Sequence, residues 1–144
     1  MSVFKVQVSQ DEKLRMKCRG EKHEMLVDEP ISVGGTDRAM NPMEALLSSF
    51  GACMCVHAWA LAERLNIKLK NILFELEGET GPCEKVGKIT PVGLKKVHTH
   101  ITVDADNTKE EIAEFIKEIE VRCPIRNTLI NTVGCTSDYE MKNM

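Results

Sequence analysis

Residues 41–57 read NPMEALLSSFGACMCVH, and the way that run folds decides the rest. Pro42 suits a first helical turn, where its missing N–H would lack a partner in any case. The apolar period that follows predicts a helix from about Pro42 to Leu65. At about 100° per residue, Leu46, Phe50, Cys53, His57 and Leu61 share one stripe, while Glu44, Ser48, Gly51 and Cys55 lie roughly opposite. Ser48, Ser49, Gly51 and Ala52 are too small to fill space, so another backbone must come close. The helix is therefore expected to be central and buried on nearly all sides. In a chain of 144 residues that calls for a partner subunit, and a homodimer is expected.

Upstream, Phe4 to Val8 alternates apolar and polar like a strand, SQDEK (9–13) reads as a turn, and LRMKCR (14–19) as the returning strand. HEMLVDEP (23–30) is a third strand, stopped by Pro30. Downstream, Ile72 to Glu77 alternates, residues 78–93 form a Gly/Pro-rich loop, and LKKVHTHITVDAD (94–106) is a long strand. Thr108 and Glu111 stand at capping-box spacing before a helical stripe of Ile112, Phe115, Ile116 and Ile119. Pro124 starts a second, short helix, and a last strand is expected over about Thr136 to Met141. The order βββ-α-ββ-αα-β, in a single domain over residues 1–144, is an α+β fold with antiparallel sheets around the long helix.

The composition, 42% hydrophobic and 28% charged, is that of a soluble globular protein. A net charge of −3 gives no electrostatic case for nucleic acid or an anionic membrane as partner. The start, MSVFKVQVSQ, does not resemble a signal peptide, and the longest apolar run, Phe50 to Trp59, falls short of a membrane span and contains His57. A cytoplasmic location is expected. The six cysteines, irregularly spaced, then read as reduced thiols with at most one pair used in redox chemistry. No C-x2-C pair suggests zinc. His98 and His100 share a strand face and could meet a metal with His23, although such a face is more often simply solvated. No cofactor is expected.

Two cysteines stand in chemically suggestive places. Cys53 and His57, at i and i+4, can touch, and a thiol beside an imidazole is the minimal activated nucleophile. The same two residues also read as a small hydrophobe beside a core histidine. Cys55 reads as packing. Cys123 sits where an N-cap belongs, directly before Pro124, and there the free N–H groups and the helix dipole would favour a thiolate. On that ground Cys123 is expected to be the more acidic thiol, unless the helix runs on with a kink at Pro124.

Together, N-P-x-E-A-L-L-x-S-x-G-A-C (Asn41 to Cys53) and R-C-P-I-x-N-T-L (Arg122 to Leu129) resemble the OsmC/Ohr family of thiol-dependent peroxidases. The strand LKKVHTHITVDAD before the capped helix is similar to that family too, and VDEPISVGGTD resembles its less studied OsmC-like branch. The resemblance implies an intertwined α+β homodimer that reduces organic hydroperoxides to alcohols. Cys53 would be the attacking thiol and Cys123 the resolving one, with an external thiol as reductant and no metal or prosthetic group. Glu44 would be the acid that orients an active-site arginine. Organic hydroperoxide resistance members keep that arginine in the first hairpin turn, and SQDEK has none; Arg38 is the best substitute, with Arg15 or Arg19 behind it. Glu44 lies about 13 Å along the helix from Cys53 and on the other side, so it would serve the thiol of the partner subunit. The missing arginine motivates a second reading, a non-peroxidatic member of the fold that binds a small apolar ligand or handles thiols. A Cys53–His57 hydrolase or transferase is a third.

Overall fold

The computed structural model describes residues 1–142. Strands β1 (Gln7–Glu12), β2 (Arg15–Arg19) and β3 (Glu24–Val27) form an antiparallel sheet in the order β1-β2-β3, with Val8 opposite Cys18 and Cys18 opposite Met25. The register slips between Gln10 and Glu12, and this bulge sets Asp11 and Glu12 beside Arg15. The first strand therefore begins later and runs further than Phe4 to Val8, and the turn shortens to Lys13 and Leu14, with Lys13 at a φ of 50°. A 3-10 turn, Ile31–Val33, follows β3 and leads to helix α1 (Pro42–Ala62). Strands β4 (Leu69–Pro82) and β5 (Val92–Ala105) pair as a hairpin, with Cys83 N–H donating to Pro91 O at 2.7 Å across the loop. Helices α2 (Lys109–Arg122) and α3 (Pro124–Ile130) complete the regular structure. The strand expected over about Thr136 to Met141 is not formed. Those residues are exposed and pair with no ladder, and a strand without a neighbour has no hydrogen bonds to hold it.

The chain makes two compact units, Met1–Ala52 with Phe74–Ile101, and Cys53–Leu73 with Thr102 onward. In the first, α1 opens with a reciprocal cap: Glu44 N–H donates to Asn41 Oδ1 and Asn41 N–H donates to Glu44 Oε2, both at 2.9 Å. A Cβ on Gly51 would stand 2.7 Å from Leu76 Cδ1, and one on Gly78 would stand 2.9 Å from Leu94 Cδ2. The close approach inferred from the small residues of α1 is thus met, at Gly51, by the chain's own hairpin.

In the second unit, Met54, Ala58 and Leu61 of α1 and Phe115 and Ile119 of α2 are buried and supply the core. Asn107 ties its connections, accepting from Lys68 N–H at 2.7 Å and donating to Asn66 O at 3.2 Å. The expected capping box is present: Thr108 Oγ1 accepts from Glu111 N–H, and Glu111 Oε2 accepts from Thr108 N–H at 2.9 Å. Thr108→Ala removes one half of it and should cost about 1 kcal/mol, read as a fall of roughly 3 °C in the thermal midpoint.

Helix α1 is not covered all round by its own chain. Phe50, Met54, Ala58 and Leu61 are buried, but Val56 is 67% and Trp59 50% exposed. Its full length, unlike the shorter run Phe50 to Trp59, is long and apolar enough to cross a membrane by length and composition, and 33% of its most apolar window is buried. The core helix of a soluble protein passes the same test.

Candidate active site

The first unit holds a polar cluster that the sequence reading did not anticipate. Asp28, at the end of β3, is 0% exposed, yet every polar neighbour is turned towards its carboxylate. Oδ1 accepts from Glu29 N–H at 2.8 Å and Thr36 N–H at 3.1 Å. Oδ2 accepts from the Thr36 hydroxyl and from Arg38 N–H at 3.0 Å. Burial alone would push this carboxyl up; the Thr36 hydroxyl and the three N–H groups outweigh it and hold it well below the usual carboxylate range. Thr36 Oγ1 in turn accepts from Arg15 Nη1 at 2.8 Å, and Arg15 is completed by Asp11 at 2.7 Å and Glu12 at 3.0 Å. The sequence signal for this cluster was Asp28, an acid at the end of an apolar strand two residues before Pro30.

These contacts separate the candidate arginines. Arg15, buried and bonded to two carboxylates and a hydroxyl, is a structural clamp. Arg19 pairs with Glu24 at 2.7 Å on the surface of the sheet. Arg38 has its backbone fixed by Asp28 and its side chain exposed. Glu44, meanwhile, spends one carboxylate oxygen on the α1 cap.

The second unit brings the two motif cysteines together. Cys53 is half-buried on α1, one turn before the half-buried His57. Cys123 is 0% exposed at the junction of α2 and α3. It caps both helices: its N–H donates to Ile119 O at 3.1 Å, and its sulfur accepts from Arg126 N–H at 3.4 Å. The expectation that the α3 N-terminus makes Cys123 the more acidic thiol is overturned. Burial pushes it up, the N–H groups of Arg126 and Ile125 pull it down, and the neighbouring Cys53, which draws a hydrogen bond from the thiol and adds its charge, pushes it up again. A seven-residue helix offers too little dipole to offset desolvation of a sulfur with no exposed surface.

All six cysteines are free. Among the described residues no three His, Cys, Asp or Glu side chains are arranged to hold a metal ion, so His23, His98 and His100 do not form such a set. A groove of about 470 Å³ in the second unit is floored by Leu65, Ile67 and Phe115 and rimmed by glutamates of α2.

Comparison with known proteins matches residues 35–138 to the model of the OsmC-like protein family. The chain is 33% identical over 97 residues to a hydroperoxide reductase of Mycoplasma genitalium, covering 66% of this chain and 65% of that one. It is 31% identical over 94 residues to a hydroperoxide reductase of Mycoplasma pneumoniae, covering 65% and 64%. The matched stretch is thus just under two thirds of either relative's length. Among solved structures, an OsmC-like protein from Mycoplasma pneumoniae superimposes with a TM-score of 0.76 at 24% identity, covering 90% of this chain and 88% of that one. With both cysteine motifs and the α+β framework in place, the chain belongs to the OsmC-like protein family.

Proposed function

We propose that this protein is a cytoplasmic, homodimeric thiol peroxidase that reduces organic hydroperoxides to alcohols. One observation carries the reading: a half-buried Cys53 lies beside a fully buried Cys123 in the same unit, and that burial pushes the Cys123 thiol up. The Cys53 thiolate attacks the terminal oxygen of the hydroperoxide and the O–O bond breaks. The alkoxide leaves and takes a proton from water, and Cys53 becomes a sulfenic acid. Cys123 then gives up its proton and attacks that sulfur, water departs, and a Cys53–Cys123 disulfide remains for an external thiol to reduce. Being inaccessible, and pushed up by burial, Cys123 does not compete for peroxide.

The uncovered face of α1, with Val56 and Trp59 outward, supports a second copy as the partner. Glu44 and Arg38 belong to this reading as residues that reach the partner subunit's thiol, Arg38 being the candidate arginine whose guanidinium is exposed and whose backbone is anchored. The names of the two Mycoplasma relatives favour the same substrate class.

The test is stoichiometric. Reduced protein given one equivalent of an alkyl hydroperoxide should form a Cys53–Cys123 disulfide within seconds, mapped by peptide mass spectrometry, and more slowly in Arg38→Ala. Slow oxidation spread over all six thiols would defeat the reading. It would leave the second one, a family member that binds a small ligand, for which the groove over Leu65, Ile67 and Phe115 offers a volume of ordinary ligand size.

A further inference from the structure

The junction between α2 and α3 raises a question about backbone bonding. In a continuous helix the carbonyl of Val121 would accept from the N–H of Ile125. Here Cys123 leaves the helical region, at φ −71° and ψ 110°, and Pro124 follows it. The sulfur of Cys123 takes the place of a backbone acceptor there, receiving the Arg126 N–H at 3.4 Å. The Val121 carbonyl is thereby released, and the side chain of Asn127 takes it up, with Nδ2 donating to Val121 O at 3.0 Å. Asn127 is itself seated in α3: its N–H donates to Cys123 O at 3.0 Å and its carbonyl accepts from Asn131 Nδ2 at 2.7 Å. One side chain of α3 thus grips the last turn of α2 from across the residue whose sulfur must meet Cys53.

We infer that Asn127 is a positioning residue for disulfide formation: its amide, bonded to the Val121 carbonyl, fixes the elbow at which Cys123 faces Cys53. Without that bond the junction keeps the Cys123 backbone bonds and the weak Arg126 N–H to sulfur bond, and the sulfur gains freedom to sample angles at which it cannot attack in line. Attack on a divalent sulfur needs the incoming thiolate close and aligned with the bond that breaks, so a small loss of order at the elbow weighs on that step alone. The inference rests on Cys123 being the resolving thiol, but not on hydroperoxide being the oxidant.

An aromatic disulfide, dithiobis-nitrobenzoate, separates the two dependences. Cys53 attacks one reagent sulfur, the reagent S–S bond breaks, and one arylthiolate leaves a mixed disulfide on Cys53. Cys123 then loses its proton to solvent and attacks the Cys53 sulfur, which expels the second arylthiolate and closes the protein disulfide. Quenched samples analysed by peptide mass spectrometry follow each species. Asn127→Asp, which keeps the shape but cannot donate, and Asn127→Ala should form the mixed disulfide at the wild-type rate and close it roughly tenfold more slowly. Asn127→His, with a ring N–H near the place of the amide, should recover most of the closing rate. Closure at the wild-type rate in both Asp and Ala variants, equal slowing of both steps, or a wild-type protein that never closes the disulfide overturns the inference. A wild-type protein that closes it readily yet ignores alkyl hydroperoxide defeats only the peroxidase reading.

Discussion

Cys53→Ser is expected to lose hydroperoxide reduction by at least about 10³-fold, some 4 kcal/mol of barrier, with the fold intact. A serine hydroxyl is neither ionised near neutral pH nor soft enough to open an O–O bond. Of the other thiols of the second unit, Cys123 is buried, while Cys55 and Cys135 lack the paired arrangement of Cys53 with Cys123. Cys123→Ser should behave differently. Its first turnover proceeds, because O–O cleavage needs only Cys53, but the sulfenic acid then persists, can be trapped by a dione reagent, and goes on to sulfinic acid under excess peroxide. The direction of the Cys123 shift adds a pH signature. A thiol held above its ordinary range gains thiolate only as the pH climbs through that raised value, so disulfide closure should keep accelerating beyond pH 9.0, where an unshifted thiol is already half ionised. A trace of alcohol per enzyme from Cys53→Ser at the wild-type rate, or a Cys123→Ser protein that never accumulates sulfenic acid, contradicts the assignment of roles.

The framework was legible wherever local rules govern. Thr108 and Glu111 fell into a capping box as their spacing predicts, and Pro42 and Pro124 both start helices. Glu44 shows how a resemblance can hide a local rule: Asn41-x-x-Glu44 is itself a capping-box pattern, and the carboxylate is spent partly on the helix start. Failures came where burial, which no single stretch encodes, decides the outcome. Cys123 was placed correctly at its cap, yet its acidity was read from the dipole, and desolvation reversed the sign. Asp28 looked like the polar end of a strand; only the folded loop shows that Thr36 and Arg38 return to it. The strand expected near Thr136 needed a neighbour, and the local sequence says nothing about whether one is available.

Gly35→Ala should be the most damaging single-methyl change in the first unit, lowering the thermal midpoint by about 10 °C, or roughly 3 kcal/mol. A Cβ at that position would lie 1.8 Å from Glu29 O, 2.3 Å from Glu29 C and 2.8 Å from Glu29 Cα. All three are backbone atoms, so no rotamer relieves the overlap, and the loop must open. Opening breaks a tight set of bonds, Gly35 N–H to Pro30 O at 3.0 Å and Asp37 N–H to Glu29 O at 3.1 Å, and withdraws Thr36 and Arg38 from the Asp28 carboxylate. This gives the variant a second mark. In the wild type the Asp28 carboxyl is depressed on folding, so its contribution is complete above the ordinary aspartate range and fades as the pH falls below about 4. Gly35→Ala should already lack much of that contribution and so lose less on acidification. Gly134→Ala, where an added Cβ meets nothing within 4 Å, is the control and should melt with the wild type. Because the same loop sets the backbone of Arg38, Gly35→Ala should also slow disulfide formation by alkyl hydroperoxide if Arg38 serves the thiol. A variant that melts within about 2 °C of the wild type would mean that the loop has another conformation of nearly equal free energy, and the anchoring of Arg38 would go with it.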